Sequence, residues 1–217
     1  MSTVLLKPDK QVNVGKIVCI GQNYRRHIDE LKSKLTKDPL LFFKPATAIL
    51  TEGNLISLPN ISNEVHHETE LALLIGKEAK NISKSSWKEY VAGVGLALDL
   101  TLRDIQREAK KNGLPWAVCK GFDGSCPIST FVSLDSISDI QNLNIELFVN
   151  DEKRQDGFTG DMIWPVDELL AYITTIFTLE PGDIVLTGTP DGVGEIHTGD
   201  HLHAKISNVG EIDFQVG

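Results

Sequence analysis

Apolar residues in this chain gather in short runs punctuated by turn residues, and few stretches keep helical spacing. Residues 16–20 read as a short buried strand closed by Gly21, and Leu40-Leu41-Phe42-Phe43 as a second one ended by Lys44-Pro45. Continuous apolar runs follow at 71–75 and 95–98, consistent with strands buried on both faces. Residues 144–149 alternate, Asn150-Asp151 supplies a turn, and the polar continuation through Arg154 is a hairpin return. Ile184-Val185-Leu186 predicts a further strand, and the C-terminus reads as a hairpin of 201–206 and 211–216 about Asn208-Val209-Gly210. Helical period appears at Ile28, Leu31 and Leu35, with Pro39 just beyond, and residues 83–90 around Trp87 predict a short helix. Another helix starts at a capping-box-like Thr101-x-x-Asp104 and stops at Gly113. A broad apolar stripe of Val166, Leu169, Leu170, Ile173, Ile176 and Phe177 suits core packing or a subunit contact. Many strands mixed irregularly with three or four helices predict an α+β chain and argue against a doubly wound sheet.

Two of these runs carry carboxylates. Glu68 and Glu70 precede the run at 71–75, and alternate side chains of a strand share a face, so both can grip one cation. Asp99 closes the run at 95–98 and joins them if the two runs pair. Three carboxylates without a cysteine ligand suit a hard divalent ion, Mg²⁺ or Mn²⁺, and the two-histidine helical zinc motif is missing. On spacing alone, the solvated face of a half-buried strand also accounts for Glu68 and Glu70. His66 and His67 lie on opposite faces of that strand and read as supporting residues.

His27 and Glu30 are helical neighbours three apart, so the carboxylate can orient the imidazole; an ordinary surface pair has the same spacing. Arg103 and Gln106 likewise share a helix face. Lys120 ends an apolar run that is unlike an exposed loop, and a lysine buried there needs an anionic partner. Lys44 is a candidate substrate contact. The glycines of Thr187-Gly188-Thr189-Pro190-Asp191-Gly192-Val193-Gly194 lack the Gly-Lys-Ser/Thr of a phosphate loop and fit a tight substrate-facing turn better. His201 and His203 share a strand face that reads as exposed.

In order along the chain, Gly21-Gln22-Asn23-Tyr24-Arg25-Arg26-His27, Phe43-Lys44-Pro45, His67-Glu68-Thr69-Glu70, the segment from Leu98 to Gln106, Lys120-Gly121-Phe122-Asp123 and Leu186-Thr187-Gly188-Thr189-Pro190 together resemble the fumarylacetoacetate hydrolase family, most closely its short acylpyruvase-like members. The resemblance runs from about Lys16 to the C-terminus. It implies a β-rich mixed roll or sandwich with a few peripheral helices, a homodimer, and metal ligation by Glu68, Glu70 and Asp99. It also implies a water-activating dyad of His27 and Glu30, Lys120 beside metal and substrate, and substrate contacts at Gln106 and Thr189, with Arg103 and Gln22 as further candidates. Two positions depart from the pattern. Gln22 stands where acylpyruvase-like relatives commonly carry arginine, which removes a bidentate carboxylate anchor, and Gly124 replaces a hydroxyl residue.

Length and charge narrow the setting. The 217 residues, 41% of them hydrophobic, suffice for one catalytic domain, and no linker, repeat or membrane-length apolar run divides them. The N-terminal octet has too short an apolar run for a secretory signal and lacks the character of a transit peptide, so a cytoplasmic protein is expected. Three scattered cysteines, Cys19, Cys119 and Cys126, read as reduced thiols. A net charge of −9 without a basic, aromatic-laced patch argues against nucleic acid.

Three functions fit these observations. The first is metal-dependent hydrolysis of acylpyruvates (2,4-dioxo acids) to pyruvate and a carboxylic acid, with His27 deprotonating the attacking water and Lys120 stabilising the enolate that leaves. The second keeps the site for decarboxylation or keto–enol tautomerisation of oxaloacetate, or isomerisation of an unsaturated 2-oxo diacid of the 2-hydroxyhepta-2,4-diene-1,7-dioate type. The third, from another class, is a metal-dependent oxo-acid binder without catalysis. A lid over residues 24–37 is also expected, because Ile28, Leu31 and Leu35 alone anchor a segment rich in charge.

Overall fold

The computed structural model describes residues 2–217 and is β-rich, with four short α-helices set around the sheets. Its centre is a mixed sheet whose strands run in the order Leu40–Lys44, Ile17–Gly21, Ile184–Leu186, Thr69–Ile75, Val91–Leu98, Cys126–Ile128 and Ile49–Thr51. The apolar runs at 71–75 and 95–98 are its two central antiparallel partners, with Glu70 opposite Ala97 and Leu71 opposite Leu96. Every residue of Thr69–Ile75 is buried, the apolar run from Leu71 onward and the polar Thr69 and Glu70 alike. Strand alternation divides the core. Leu71, Leu73 and Leu96 join the large cluster that reaches Ile145, Ala204 and Phe214, whereas Ala72, Leu74 and Ala97 pack with Ile17, Cys19, Cys126 and Ile184 on the opposite face.

A second, antiparallel sheet of Glu152–Phe158, Asn144–Val149, His201–Ile206 and Gly210–Gln215 contains both predicted hairpins. Asn150 and Asp151 take φ of 52° and 65°, the left-handed pair of a tight hairpin turn. Helix α4 (Val166–Ile176) buries Val166, Leu169, Leu170 and Ile173 inside the chain, so most of its stripe is core packing, and only Ile176 faces outward at its end. Helix α2 (Arg103–Asn112) ends at Gly113 with φ 66°, the left-handed C-cap expected there.

Two local expectations are corrected. The first helix, α1 (Arg25–Glu30), ends a turn earlier than the Ile28, Leu31, Leu35 spacing suggests. A Schellman closure stops it: Lys32 N–H donates to the Asp29 carbonyl and Ser33 N–H to the Ile28 carbonyl, with Lys32 at φ 49°. Leu35 therefore lies outside the helix and is exposed. The capping box is absent, because Thr101 belongs to the short strand Thr101–Leu102 and its hydroxyl donates to the Asp99 carbonyl. Asp104 instead accepts from Ser62 Oγ and the Asn63 N–H, tying α2 to the preceding loop.

Candidate active site

Pairing of the two central strands places Glu68, Glu70 and Asp99 on one side of the sheet end, all buried, with one oxygen from each within 4.8 Å of the others. Asp99 N–H donates to the Glu68 carbonyl at 2.7 Å, which locks the two ends together. Each carboxylate has a different environment. Glu68 is ion-paired to Arg103 and, at 2.8 Å, to Lys120. Burial opposes its charge, but Lys120 and Arg103 outweigh burial and hold its pKa well below the usual range. Glu70 accepts one backbone hydrogen bond, from Gly188 at 2.6 Å. Burial first, then the charges of Asp99 and Glu68, push its pKa well up. Asp99 Oδ2 accepts from Lys120 at 2.6 Å, while Oδ1 lies 2.8 Å from Lys44 Nζ without the alignment of a hydrogen bond.

Three buried carboxylates aimed at one point, one of them paying the electrostatic cost of its neighbours, fit a hard divalent cation with oxygen ligands. A cation there would relieve the repulsion that Glu70 now meets. Lys120, fully buried, stands between Glu68 and Asp99; burial disfavours its ammonium, yet Asp99 and Glu68 prevail and raise its pKa.

Gln22, His27, Arg103, Gln106, Lys120 and Thr189 line the same narrow cleft as the carboxylates. Glu30 lies behind His27: its Oε2 sits 3.2 Å from His27 Nδ1, and its Oε1 accepts from Gly192 N–H at 3.0 Å. That arrangement latches α1 to the glycine-rich turn and leaves Nε2 as the free ring nitrogen. Arg103 donates from Nη1 to Gln106 Oε1 at 2.6 Å, so the two helix neighbours act as one unit over Glu68. Gln22 is held at φ 64° at the strand end, and its buried Oε1 has no protein partner. Gly124 also has positive φ, 74°, with open space at the position of a Cβ.

Lys44 is not a substrate contact. It is completely buried behind Asp99, donating to Ser125 O and Oγ at 3.0 Å each and to the Lys120 carbonyl. The run before Lys120 is less enclosed than its composition suggests, since Leu114 and Val118 are exposed and only the short helix α3 (Ala117–Lys120) carries the lysine inward. His66 and His67 do support the site: His66 bonds Glu64 and accepts from Arg103, and His67 Nδ1 meets Gln155 Oε1. Burial takes the His67 pKa down to about 4. His201 and His203 flank Asp213 on the outer sheet at 3.0 and 3.1 Å.

Two supporting residues escape a reading of the sequence. Gln155, on the polar return of a hairpin, is fully buried; its Oε1 accepts from Thr69 N–H and its Nε2 donates to Thr189 Oγ1 at 2.8 Å. Asn23 donates to the carbonyls of Trp164 and Thr187 and accepts from Trp164 N–H, fixing the entry to α1. Gly188 is required beside it: φ is 94°, and a Cβ would come within 2.7 Å of Asn23 Cβ.

Residues 16–217 match the model of the fumarylacetoacetate (FAA) hydrolase C-terminal region. The chain belongs to the fumarylacetoacetate hydrolase family. Over 200 residues it is 45% identical to the mitochondrial oxaloacetate tautomerase FAHD1 of Bos taurus, covering 92% of this chain and 90% of that protein. It is 47% identical over 190 residues to the oxaloacetate tautomerase YcgM of Escherichia coli, covering 87% of each. The fold superposes with a TM-score of 0.94 on fumarylpyruvate hydrolase from Pseudomonas aeruginosa in complex with Mn²⁺ and pyruvate, at 32% identity, covering 99% of this chain and 94% of that one. The family fold expected from the sequence is therefore the fold observed. The family relatives carry both tautomerase and hydrolase names, and the Bos taurus protein's name places it in the mitochondrion, which lends no support to a cytoplasmic assignment here. No helix among the described residues is long and apolar enough to cross a membrane.

Proposed function

We propose that this chain is a divalent-metal-dependent enzyme that interconverts the keto and enol forms of oxaloacetate. The observation that carries this reading is the placement of His27, braced by Glu30, in the same cleft as Glu68, Glu70, Asp99 and Lys120. The tautomerase names of relatives at 45% and 47% identity support the substrate. Glu68, Glu70 and Asp99 would hold Mg²⁺ or Mn²⁺, which supplies Lewis-acid polarisation of a 2-oxo group. His27 Nε2 takes a proton from C3, the C3–H electron pair forms the C2–C3 double bond, and the carbonyl π pair moves to the C2 oxygen. The same imidazolium returns the proton to that oxygen, so the enzyme ends as it began. Lys120 contributes positive charge where the oxygen becomes anionic. Arg103, Gln106 and Thr189, held by Glu68 and Gln155, shape the walls.

Hydrolysis of acylpyruvates, the reaction ranked first from sequence, becomes the second reading. Its support is the fumarylpyruvate hydrolase neighbour with Mn²⁺ and pyruvate. Tautomerisation asks less of the site, because it moves one proton and needs no attacking water. The test follows the decay of the oxaloacetate enol by ultraviolet absorbance alongside pyruvate release from oxaloacetate and acetylpyruvate, each with and without Mg²⁺. Metal-dependent enol decay without pyruvate supports the tautomerase. Pyruvate from acetylpyruvate at a comparable rate would replace it with the hydrolase, and silence in every arm would favour a binding protein.

A further inference from the structure

Helix α2 presents Arg103, Gln106 and Lys110 to the cleft, a stripe at spacings of three and four. The stripe changes character along its length. Arg103 and Gln106 are buried and committed to Glu68 and to each other, whereas Lys110 is exposed at the outer end. Of the cationic side chains lining the cleft, Arg103 and Lys120 have carboxylate partners and His27 has Glu30; Lys110 has none among the described residues. An aromatic wall connects the deep lysine to the outer one. Lys120 Nζ lies 5.0 Å from the Phe42 ring centroid, Phe42 and Trp116 are 5.6 Å apart, and Lys110 Nζ is 5.3 Å from the Trp116 ring. Such a ring restrains the ammonium near the mouth without neutralising it. Gln22 offers only a neutral amide within the cleft.

We propose that Lys110 is a specificity-determining residue that binds the distal carboxylate of a 2-oxo diacid at the mouth of the cleft. The reading rests on the proposed function for the proximal end of the substrate. One end of the diacid meets the carboxylate-held cation and Lys120, the carbon skeleton lies along Phe42 and Trp116, and the far carboxylate reaches the one uncommitted cation. Partial enclosure of the Lys110 ammonium against the cleft, followed by repulsion from Arg103, lowers its pKa, and an incoming anion counters the shift by stabilising the charged form. The substrate class is thus dicarboxylic 2-oxo acids in preference to those with an apolar tail.

A matched pair of 2-oxo acids tests this without relying on turnover. 2-Oxoglutarate and 2-oxopentanoate have the same chain length and differ in the distal carboxylate. Titrated calorimetrically into the Mn²⁺-loaded wild type, the diacid should bind about tenfold more tightly, the size of one charge-assisted hydrogen bond. Lys110→Met should abolish that preference by weakening the diacid alone, and Lys110→Arg should retain it. A wild type without the preference, or a Lys110→Met variant that keeps it, overturns the proposal, as does equal weakening of both ligands. An inactive wild type that still shows the Lys110-dependent preference would refute the tautomerase and leave the diacid site standing. Failure of Mn²⁺ to bind at all would remove the metal reading and this one with it.

Discussion

Lys120→Met should destabilise the metal-free protein and make its stability strongly dependent on divalent cation. In the metal-free chain the Lys120 ammonium bridges Glu68 at 2.8 Å and Asp99 at 2.6 Å, with all three side chains at most 6% exposed. Methionine keeps the length and apolar stem of lysine but leaves two buried carboxylate oxygens facing each other and Glu70 without that charge. Removing one partner from a buried ion pair costs about 3–5 kcal/mol. For a domain of this size each kcal/mol moves Tm by about 2–4 °C, so the drop should be roughly 6–20 °C. Burial at this level leaves little solvent screening to discount. The same charge count makes the variant a better host for a cation: Mn²⁺ or Mg²⁺ would replace the missing positive charge, and at 100 times its Kd a ligand adds about 2.7 kcal/mol. Differential scanning fluorimetry with and without metal reads both effects, and turnover should fall even in the stabilised, metal-loaded variant because the charge opposite the enolate is gone. A metal-free Tm within about 2 °C of wild type, or a metal-induced shift no larger than that of wild type, would refute the claim that Lys120 neutralises this cluster.

Three other outcomes follow from the same geometry. Because the Glu70 pKa is raised, the metal-free fold is more stable with Glu70 protonated and loses that stability as pH rises through its folded pKa; metal binding should therefore release a proton above the ordinary glutamate range, seen by calorimetry in two buffers of different ionisation enthalpy, and Glu70→Gln should abolish both the release and tight binding. His27→Ala should lower metal-dependent oxaloacetate tautomerisation by about 10²-fold or more while leaving Mn²⁺ affinity within about twofold, and an unchanged rate would remove His27 from the proton path. The cleft offers only about 20 Å³, room for about one water, so the segment 24–37 should move to admit a four-carbon acid; amide hydrogen exchange there should slow on adding oxalate and Mn²⁺, and equal protection with and without them would sink the lid.

Features written into the local sequence were legible to the extent that one chemical type admits one placement. The apolar runs at 71–75 and 95–98 are strands buried on both faces, as their short uninterrupted length suggests, and pairing them brought Asp99 to the glutamates. Gly113 could stop α2 because glycine takes φ 66° at no steric cost. The end of α1 was not legible in the same way, since Lys32 carries no preference for the left-handed turn it adopts. Apolar spacing placed Leu35 on the helix, but the Schellman closure after Glu30 had already turned the chain away.

The supporting polar residues were hidden for a different reason. Lys44, Gln155 and Asn23 sit in segments where a polar side chain ordinarily meets water, and what buries them is contact with elements far along the chain: Lys44 with Ser125, Gln155 with Thr69 and Thr189, Asn23 with Trp164 and Thr187. Once they are placed, the charge of the cluster becomes intelligible. Glu68, Glu70 and Asp99 are opposed by Arg103, Lys120 and Lys44, three against three, and none of the six is exposed. A divalent cation added to that set leaves an excess of two positive charges in a buried cleft, which suits an anionic 2-oxo acid as its ligand. Proton transfer from C3 to His27 leaves the total charge of the cleft unchanged but gathers negative charge on the C2 oxygen beside Lys120, so that buried lysine favours the enolate over the keto acid from which it starts.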